Sequence, residues 1–292
     1  MSDPFADHRD LLFTVAYEML GSAADAEDVV QEAWLRWAEV DQATVENPRA
    51  YAVRIVTRLA LNQMRTLSRR RETYVGPWLP EPLLTGPDVA DDVLLAESVS
   101  LAMLVVLESL QPVERAVFVL REVFGFEHAE IADALDRTPA AVRQIAHRAR
   151  EHVQARRPAA TVSRDEQLAV TRRFAEAAAT GDIASLVDVL APDVVLLTDG
   201  GGVKKAALRP ILGVDKVLRF LGGVGTEIPP VATVVMVNGS PCLALTVDGV
   251  LDTLVASRFA DGKVVEIYAV RNPAKLDRLE QEARLTRAYA DG

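Results

Sequence analysis

The sequence holds one cysteine, Cys242, in 292 residues. A lone cysteine excludes an intramolecular disulfide framework, and its expected role is that of a small buried hydrophobe. Histidine is scarce too: His8, His128, His147 and His152 are all there are. The C-terminal half beyond residue 158 therefore has no imidazole base and no histidine metal ligand. No apolar run approaches the roughly 18 residues that a membrane span needs. The opening MSDPFADHRD is acidic and polar where a secretory leader is basic and then apolar. These absences lead to the expectation of a cytoplasmic protein with no membrane segment, metal or cofactor.

Positive charge is also in deficit, with a net charge of −10, but the deficit is uneven. Residues 1–48 carry eleven acids and two bases, whereas residues 49–71 carry seven arginines and no acid. Residues 72–136 return to thirteen acids and two bases, and residues 137–157 hold six arginines against Glu151 alone. Nucleic-acid affinity follows local positive potential, because Lys and Arg displace counterions condensed on phosphates. Two basic islands between acidic segments suit a chain that meets DNA twice and a basic surface elsewhere.

Helical periodicity fills the first half. A first helix to Leu20 stops at Gly21, and Ser22 can cap a second over residues 23–40. That helix sets Val29, Ala33, Trp34 and Trp37 on one side, with both tryptophans expected in the core, and Asp25, Asp28 and Glu32 on the other. Asn47-Pro48 opens a third helix with Tyr51, Ile55 and Leu59 along one stripe and Arg54, Arg58 and Arg65 along another. Residues 72–92 lose periodicity, with four prolines and two glycines, and read as a linker. One helix is expected over Val93–Leu110, and Gln111-Pro112 opens the next.

The segment FEHAEIADALDRTPAAVRQIAHRARE carries the most information. A short helix leads through Asp136-Arg137 to Thr138 as N-cap and Pro139 at the first helical position. Val142, Ile145, Ala146 and Ala149 then form a buried stripe, leaving Arg143, Gln144, His147, Arg148 and Arg150 outward. Two short helices, a tight turn and an arginine-rich second helix make a helix-turn-helix. Beyond Pro158, helices give way to short β-branched runs separated by NGSP and DG turns, and a charged helical tail is expected from Pro273. Helices followed by antiparallel strands imply an α+β domain.

Residues 1–157 resemble the extracytoplasmic-function sigma factors. DAEDVVQEAWLRWAEV is similar to the region-two helix that docks on the polymerase clamp, and NPRAYAVRIVTRLALNQMR to the helix that opens and reads the minus-ten element. LESLQPVERAVFVLREVFGFEHAEIADAL and RTPAAVRQIAHRARE resemble region four, which reads the minus-thirty-five element. Residues 165–290 resemble a SnoaL-like domain of the cone-shaped NTF2-like fold. The pairing resembles the SigJ-type subgroup, whose WLPEPL, DGGGK and NPDKL motifs stand here as Trp78–Leu83, Asp199–Gly202 with Val203 before Lys204, and Asn272–Leu276 with Ala274 in place of the acid.

The resemblance implies a fold of two all-α domains, regions two and four, followed by an α+β cone. The expected boundaries are 1–72, a linker 73–92, 93–157, a linker 158–164, and 165–292. It implies a non-enzymatic promoter-specificity factor regulated in cis by its C-terminal domain. The partners it implies are promoter DNA and core RNA polymerase, through the β′ clamp and β flap, with an anti-sigma factor or small ligand left open and the free chain a monomer. DNA contacts are expected from Arg143, Gln144, Arg148 and Arg150, and from Arg54, Arg58 and Arg65, with the loop Gln42–Asn47 near a flipped base. Polymerase contacts are expected from Asp25, Asp28 and Glu32. Interdomain contacts are expected from Trp78, Leu79, Pro80 and Leu83, from Asp199, Gly200, Gly201 and Gly202, and from Asn272 and Pro273. Two rival readings remain: a helix-turn-helix regulator with a ligand-sensing cone, and an isomerase-like enzyme using Asp199, Asp248 or Asp252, fused to a DNA-binding module.

Overall fold

The computed structural model describes residues 4–86, 89, 91–156, 162–223, 230–279 and 281–287. Residues 158–161 of the second expected linker, and 87, 88 and 90 of the first, lie outside the described residues. The N-terminal half is helical: α1 Pro4–Asp7, α2 Arg9–Leu20, α3 Ala23–Ala38, α4 Pro48–Glu72, α5 Val93–Val99, α6 Leu101–Leu107, α7 Pro112–Phe118, α8 His128–Leu135 and α9 Pro139–Gln154. Gly21 ends α2 at φ 67°, and the Ser22 hydroxyl caps α3 by accepting from the Asp25 amide at 3.3 Å.

Three sequence expectations are corrected here. The helix expected over 93–110 is broken at Ser100, whose backbone is extended (ψ 144°) and whose hydroxyl accepts from the Met103 amide to start α6. Trp34 is not core but 46% exposed, while Trp37 is 1% exposed and lies 5.9 Å from the Tyr51 ring. The buried stripe of α3 runs Ala26, Val30, Ala33, Trp37, and a residue one step past Ala33 is rotated about 100° away from it. α7 is followed by a π-helical turn, Val119–Val123, rather than by plain α-helix.

The C-terminal half starts with α10 Arg164–Thr180 and a 3-10 turn, Ile183–Asp188. Strands β1 Leu190–Asp199, β2 Ile211–Leu212, β3 Val231–Val237, β4 Ser240–Val247, β5 Val250–Ala260 and β6 Lys263–Val270 form one sheet in the order β2-β1-β6-β5-β4-β3. The sheet is not wholly antiparallel as expected, because β1 pairs parallel to β6. A parallel neighbour needs a crossover, supplied by β2 to β5 together with α11 Val214–Gly223, a helix missing from the sequence expectations although Val214, Val217, Leu218 and Leu221 recur at helical spacing. Register shifts in three of the strand pairs curl the sheet.

Both faces of this sheet are buried. The concave face packs Val264, Ile267 and Ala269 under Phe174, Ala177 and Val217. The other face packs Cys242, Leu254, Ala256, Tyr268 and Val270 against Leu79 of the linker, Leu101 of α6 and Leu276 of the short α12, Pro273–Leu276. Alternation along β6 thus feeds two cores, and the second exists only where the helical half covers it.

The tail is corrected as well. Past α12 its described residues are not helical: the Ala283 amide donates to Leu84 O at 2.8 Å, Leu285 is 4% exposed within the helical core, and the Thr286 amide donates to the Thr14 hydroxyl at 3.0 Å. The β3–β4 turn makes a further crossing, where Gly239 at φ 71° sits so close that an added Cβ lies 2.7 Å from the Ala96 Cα. Gly239→Ala is therefore expected to cost about 2–4 kcal/mol, from strained φ plus a backbone clash. Gly249→Ala, at φ 76° with nothing within 4 Å, should cost only about 1 kcal/mol. Thermal unfolding of the two variants checks this; equal losses would show that the Ala96 contact contributes nothing.

Candidate nucleic-acid interface and interdomain latch

The helix-turn-helix forms as its caps dictate. Asp136 closes α8 in the left-handed region at φ 52°, and the Thr138 hydroxyl accepts from the Ala141 amide at 3.2 Å. Val142, Ile145, Ala146 and Ala149 are buried, which turns Arg143, Gln144, His147 and Arg148 outward as one exposed face. Arg148 lies 3.6 Å from Glu114. Arg150 leaves that face, donating twice to the Glu122 carboxylate at 2.6 and 3.2 Å, and the pair raises its pKa.

The other arginine stripe is engaged within the chain. Arg54 donates to Asp133 at 2.8 Å. Arg58 donates to the Asp136 carboxylate at 2.8 Å, to Ala134 O at 2.8 Å and to Asp133 O at 3.2 Å. Those carbonyls are the negative end of α8, so a helix terminus and two acids of the helix-turn-helix meet the guanidinium groups of α4. Arg65 is exposed and donates to Asn62 at 3.3 Å. Next to the start of α4, the Gln42–Thr44 turn is exposed.

On α3, Asp28 and Glu32 are exposed, and Glu32 pairs with Arg36 at 3.0 Å one turn on. Asp25 is half-buried and accepts from Gln63 at 2.7 Å, holding α3 to α4 rather than facing outward. Beside Glu32 stand Trp34 and Leu35, 46% and 50% exposed. An acidic edge with two large apolar side chains is a surface suited to a partner.

The linker is docked from Tyr74 to Thr85. Asp199 is fully buried, and its carboxylate accepts from the Tyr74 hydroxyl at 2.6 Å, the Leu79 amide at 2.9 Å, Lys275 at 2.7 Å and the Gly201 amide at 3.0 Å. Lys275 also donates to Leu79 O, and its ammonium lies 4.1 Å from the Trp78 ring centroid. Arg71 of α4 lies over the same ring at 3.7 Å. Burial brings the Lys275 pKa down to about 8 although Asp199 pulls it up. Asn272 caps α12 by accepting from the Ala274 amide and donates to the Tyr74 hydroxyl at 2.9 Å, with Pro273 at the first helical position. Gly201 sits at φ 62° where a Cβ would lie 2.5 Å from the Asn272 side chain, so glycine is required there. A Cβ at Gly200 would lie still closer to Lys204 O, and one at Gly202 would press on Val75 at 3.3 Å.

Further along the linker, Pro80 is buried and Glu81 is 4% exposed, its carboxylate accepting from the Ala23 amide at 2.8 Å at the start of α3. The Leu83 amide donates to the Asn238 side chain at 2.9 Å. Asn238, fully buried at φ 52°, donates in turn to the Tyr17 hydroxyl at 2.7 Å and Val99 O at 2.8 Å. Sequence reasoning missed Glu81, Tyr74, Lys275 and Asn238. The NGSP turn was legible as a hairpin, but its insertion into a distant helical core leaves no local signal.

The carboxylates considered for catalysis are otherwise employed. Asp252, despite desolvation that raises it, is held at about 2 by hydrogen bonds from Thr253, Lys204 and Arg271, which makes it a poor proton acceptor at neutral pH. Asp199 belongs to the latch, and Asp248 forms a positive-φ turn residue. No group of His, Cys, Asp and Glu able to hold a metal occurs among the described residues. No helix among them is long and apolar enough to cross a membrane.

One buried acid has the opposite character. Glu18 is fully buried with Ser98 donating to it at 2.9 Å, and burial pushes its pKa up to about 8 in spite of Arg115 nearby. A raised folded pKa stabilises the fold below the unfolded value near 4.5 and loses that contribution as pH rises through about 8. Glu18→Gln should therefore match the parent near pH 4.5 and exceed it at pH 8.5 by about 2 kcal/mol or more. Urea unfolding at the two pH values measures this, and a pH-independent difference contradicts it.

Comparison with known proteins adds the remaining information. The model of Sigma-70 region 2 matches residues 5–70, and that of Sigma-70, region 4 matches residues 100–153. The chain is 40% identical over 284 residues to the ECF RNA polymerase sigma factor SigJ of Mycobacterium tuberculosis, covering 91% of this chain and 90% of that one. It is 33% identical to the probable ECF RNA polymerase sigma factor SigI of the same organism, with 94% of each chain covered. The crystal structure of M. tuberculosis SigJ superposes with a TM-score of 0.75 at 36% identity, over 94% of this chain and 97% of that one. The fold is accordingly two helical sigma regions followed by a C-terminal sheet domain, an arrangement shared with SigJ along its length, and the sigma factor family is not enzymatic. With both DNA-reading motifs in order and the likeness running through the C-terminal cone, the chain belongs to the extracytoplasmic-function RNA polymerase sigma factors.

Proposed function

We propose that this sigma factor is held by its own C-terminal domain in a closed state that core RNA polymerase can approach but an opened minus-ten element cannot. The observation that carries the proposal is the engagement of Arg54 and Arg58 by Asp133, Asp136 and the carbonyls at the end of α8. Groups suited to track the backbone of an opened minus-ten element are thus occupied by the helix-turn-helix that reads the minus-thirty-five element. Arg143, Gln144 and Arg148 face outward for base and phosphate contact, and Arg65 and the Gln42–Asn47 loop complete the minus-ten surface. Arg150 orients α9 through Glu122 rather than meeting DNA.

Asp28 and Glu32, with Trp34 and Leu35 beside them, form the polymerase-facing surface, and Asp25 supports it from behind through Gln63. Polymerase binding separates the two regions and exposes α4. The cone opposes that separation through the latch at Asp199 and the Asn238 turn. A separate anti-sigma factor is not required for closure in this reading, which places the protein in the cytoplasm beside its promoters. The units that move are residues 1–72 and 93–157, with the linker 73–92 and the cone 165–292 as the restraint.

The ion pairs between α4 and α8 are solvent-exposed, each worth under about 1 kcal/mol, so removing both shifts the equilibrium without unfolding the chain. Asp133→Ala with Asp136→Gly, glycine being suited to the left-handed backbone at 136, is expected to raise promoter run-off transcription with purified core polymerase about two- to tenfold. The radius of gyration of the free protein should increase with it. Unchanged or reduced transcription refutes the closed state. Deleting the cone is a poorer test, because its sheet and the helical half bury one another's apolar surface.

A further inference from the structure

The concave side of the sheet, roofed by α10, the Ile183–Asp188 turn and α11, encloses a cavity of about 260 Å³. Phe174, Leu186, Phe220, Leu243 and Ile267 make its wall apolar. The volume equals about nine waters at roughly 30 Å³ each, the size of a small organic molecule of about ten heavy atoms. One end differs in chemistry, being lined by Thr198, Lys205, Asp252 and Arg271. There Arg271 donates to one Asp252 oxygen at 2.8 Å and Lys204 to the other at 2.9 Å. Lys205 makes no ion pair among the described residues, so this end carries three cations and one acid. An apolar chamber with a cationic end matches a short amphipathic anion.

The same loop joins this cavity to the latch. Thr198 lines the cavity while Asp199, the next residue, is the carboxylate on which Tyr74, Leu79 and Lys275 converge. Arg271 lines the cavity while Asn272, again the next residue, holds Tyr74 and packs on Gly201. Neighbouring residues on an extended chain point to opposite sides, which puts the cavity and the latch on two faces of two adjacent stretches. The loop between them is pinned to the cavity end by Arg271, donating to Lys205 O at 2.7 Å, and by Thr198, paired with the Ala207 amide at 2.7 Å. A carboxylate drawing on Arg271 and Lys205 competes with those ties.

We propose that the cone binds a short-chain amphipathic carboxylate, its apolar chain among Phe174, Phe220 and Ile267 and its carboxylate at Lys205 and Arg271, and that occupancy shifts the latch at Asp199. The regulatory half of this statement rests on the closed-state reading above; the binding half does not. By linkage, a ligand that favours one latch state binds that state more tightly.

The test titrates octanoate and, separately, 1-octanol into the full-length protein by calorimetry, and repeats both with Lys205→Ala, an exposed position whose change leaves the fold intact. Octanoate should bind saturably, about tenfold more tightly than the alcohol. Lys205→Ala should weaken octanoate about three- to tenfold and leave octanol unchanged. Octanoate should also change run-off transcription by at least about twofold, corresponding to a modest population shift. Absence of saturable binding up to about 1 mM overturns the site. Equal affinity for acid and alcohol overturns the ligand class. Binding without any change in transcription, where Asp133→Ala with Asp136→Gly does change it, overturns the coupling and spares the closed state. If the double variant is inert while octanoate still binds, the closed state is what fails.

Discussion

A carboxylate with no exposed surface is costly to bury unless donors converge on it, and Asp199 gathers its distant donors from two stretches of chain. Tyr74 and the Leu79 amide come from the linker and Lys275 from the end of the cone. Each of those residues is also engaged elsewhere. Tyr74 receives Asn272, the Leu79 side chain fills the outer face of the sheet, and Lys275 lies over Trp78. Displacing one group strands a buried charge and loosens the rest. The linker is therefore a structural member whose path is fixed at two points, at Asp199 and, through Leu83, at Asn238.

Magnitudes separate what holds the closed arrangement from what directs it. The ion pairs of Arg54 and Arg58 with α8 are exposed and screened, worth fractions of a kcal/mol each. Burying side chains such as Leu79, Leu83, Leu101, Leu276 and Leu285 contributes about 1.5–3 kcal/mol apiece. Apolar burial thus carries the closure, while the charges select which surfaces meet. A contact that selects without dominating is one a competing partner can replace.

Much of this was legible in the sequence where the signal was local. Thr138-Pro139 and the stripe Val142, Ile145, Ala146, Ala149 announced the recognition helix, and the two arginine-rich islands announced where charge of that sign gathers. Trp34 and Trp37 could not be told apart by composition; the phase set by Ala26, Val30 and Ala33 separates them. Contacts made across long stretches of sequence left no trace. Nothing near Arg58 reveals that it meets Asp136, and nothing in an Asn-Gly turn reveals that its side chain bonds Tyr17 across 221 residues. The tail misled for the same reason: its charges suggested a solvated helix, whereas Ala283 and Leu285 are bound to the linker and the helical core.

The bond from the Thr286 amide to the Thr14 hydroxyl spans 272 residues, so the two ends of the described chain meet in one core. A ribosome adding about 5–20 residues per second takes on the order of 15–50 s between those two positions. Throughout that interval the helix bearing Thr14 lacks its last neighbour, and the cone that supplies the latch is still being made. The contacts of Ala283, Leu285 and Thr286 with the linker and the helical half thus form only after that interval, and the nascent helices pass through a period in which these contacts do not restrain them.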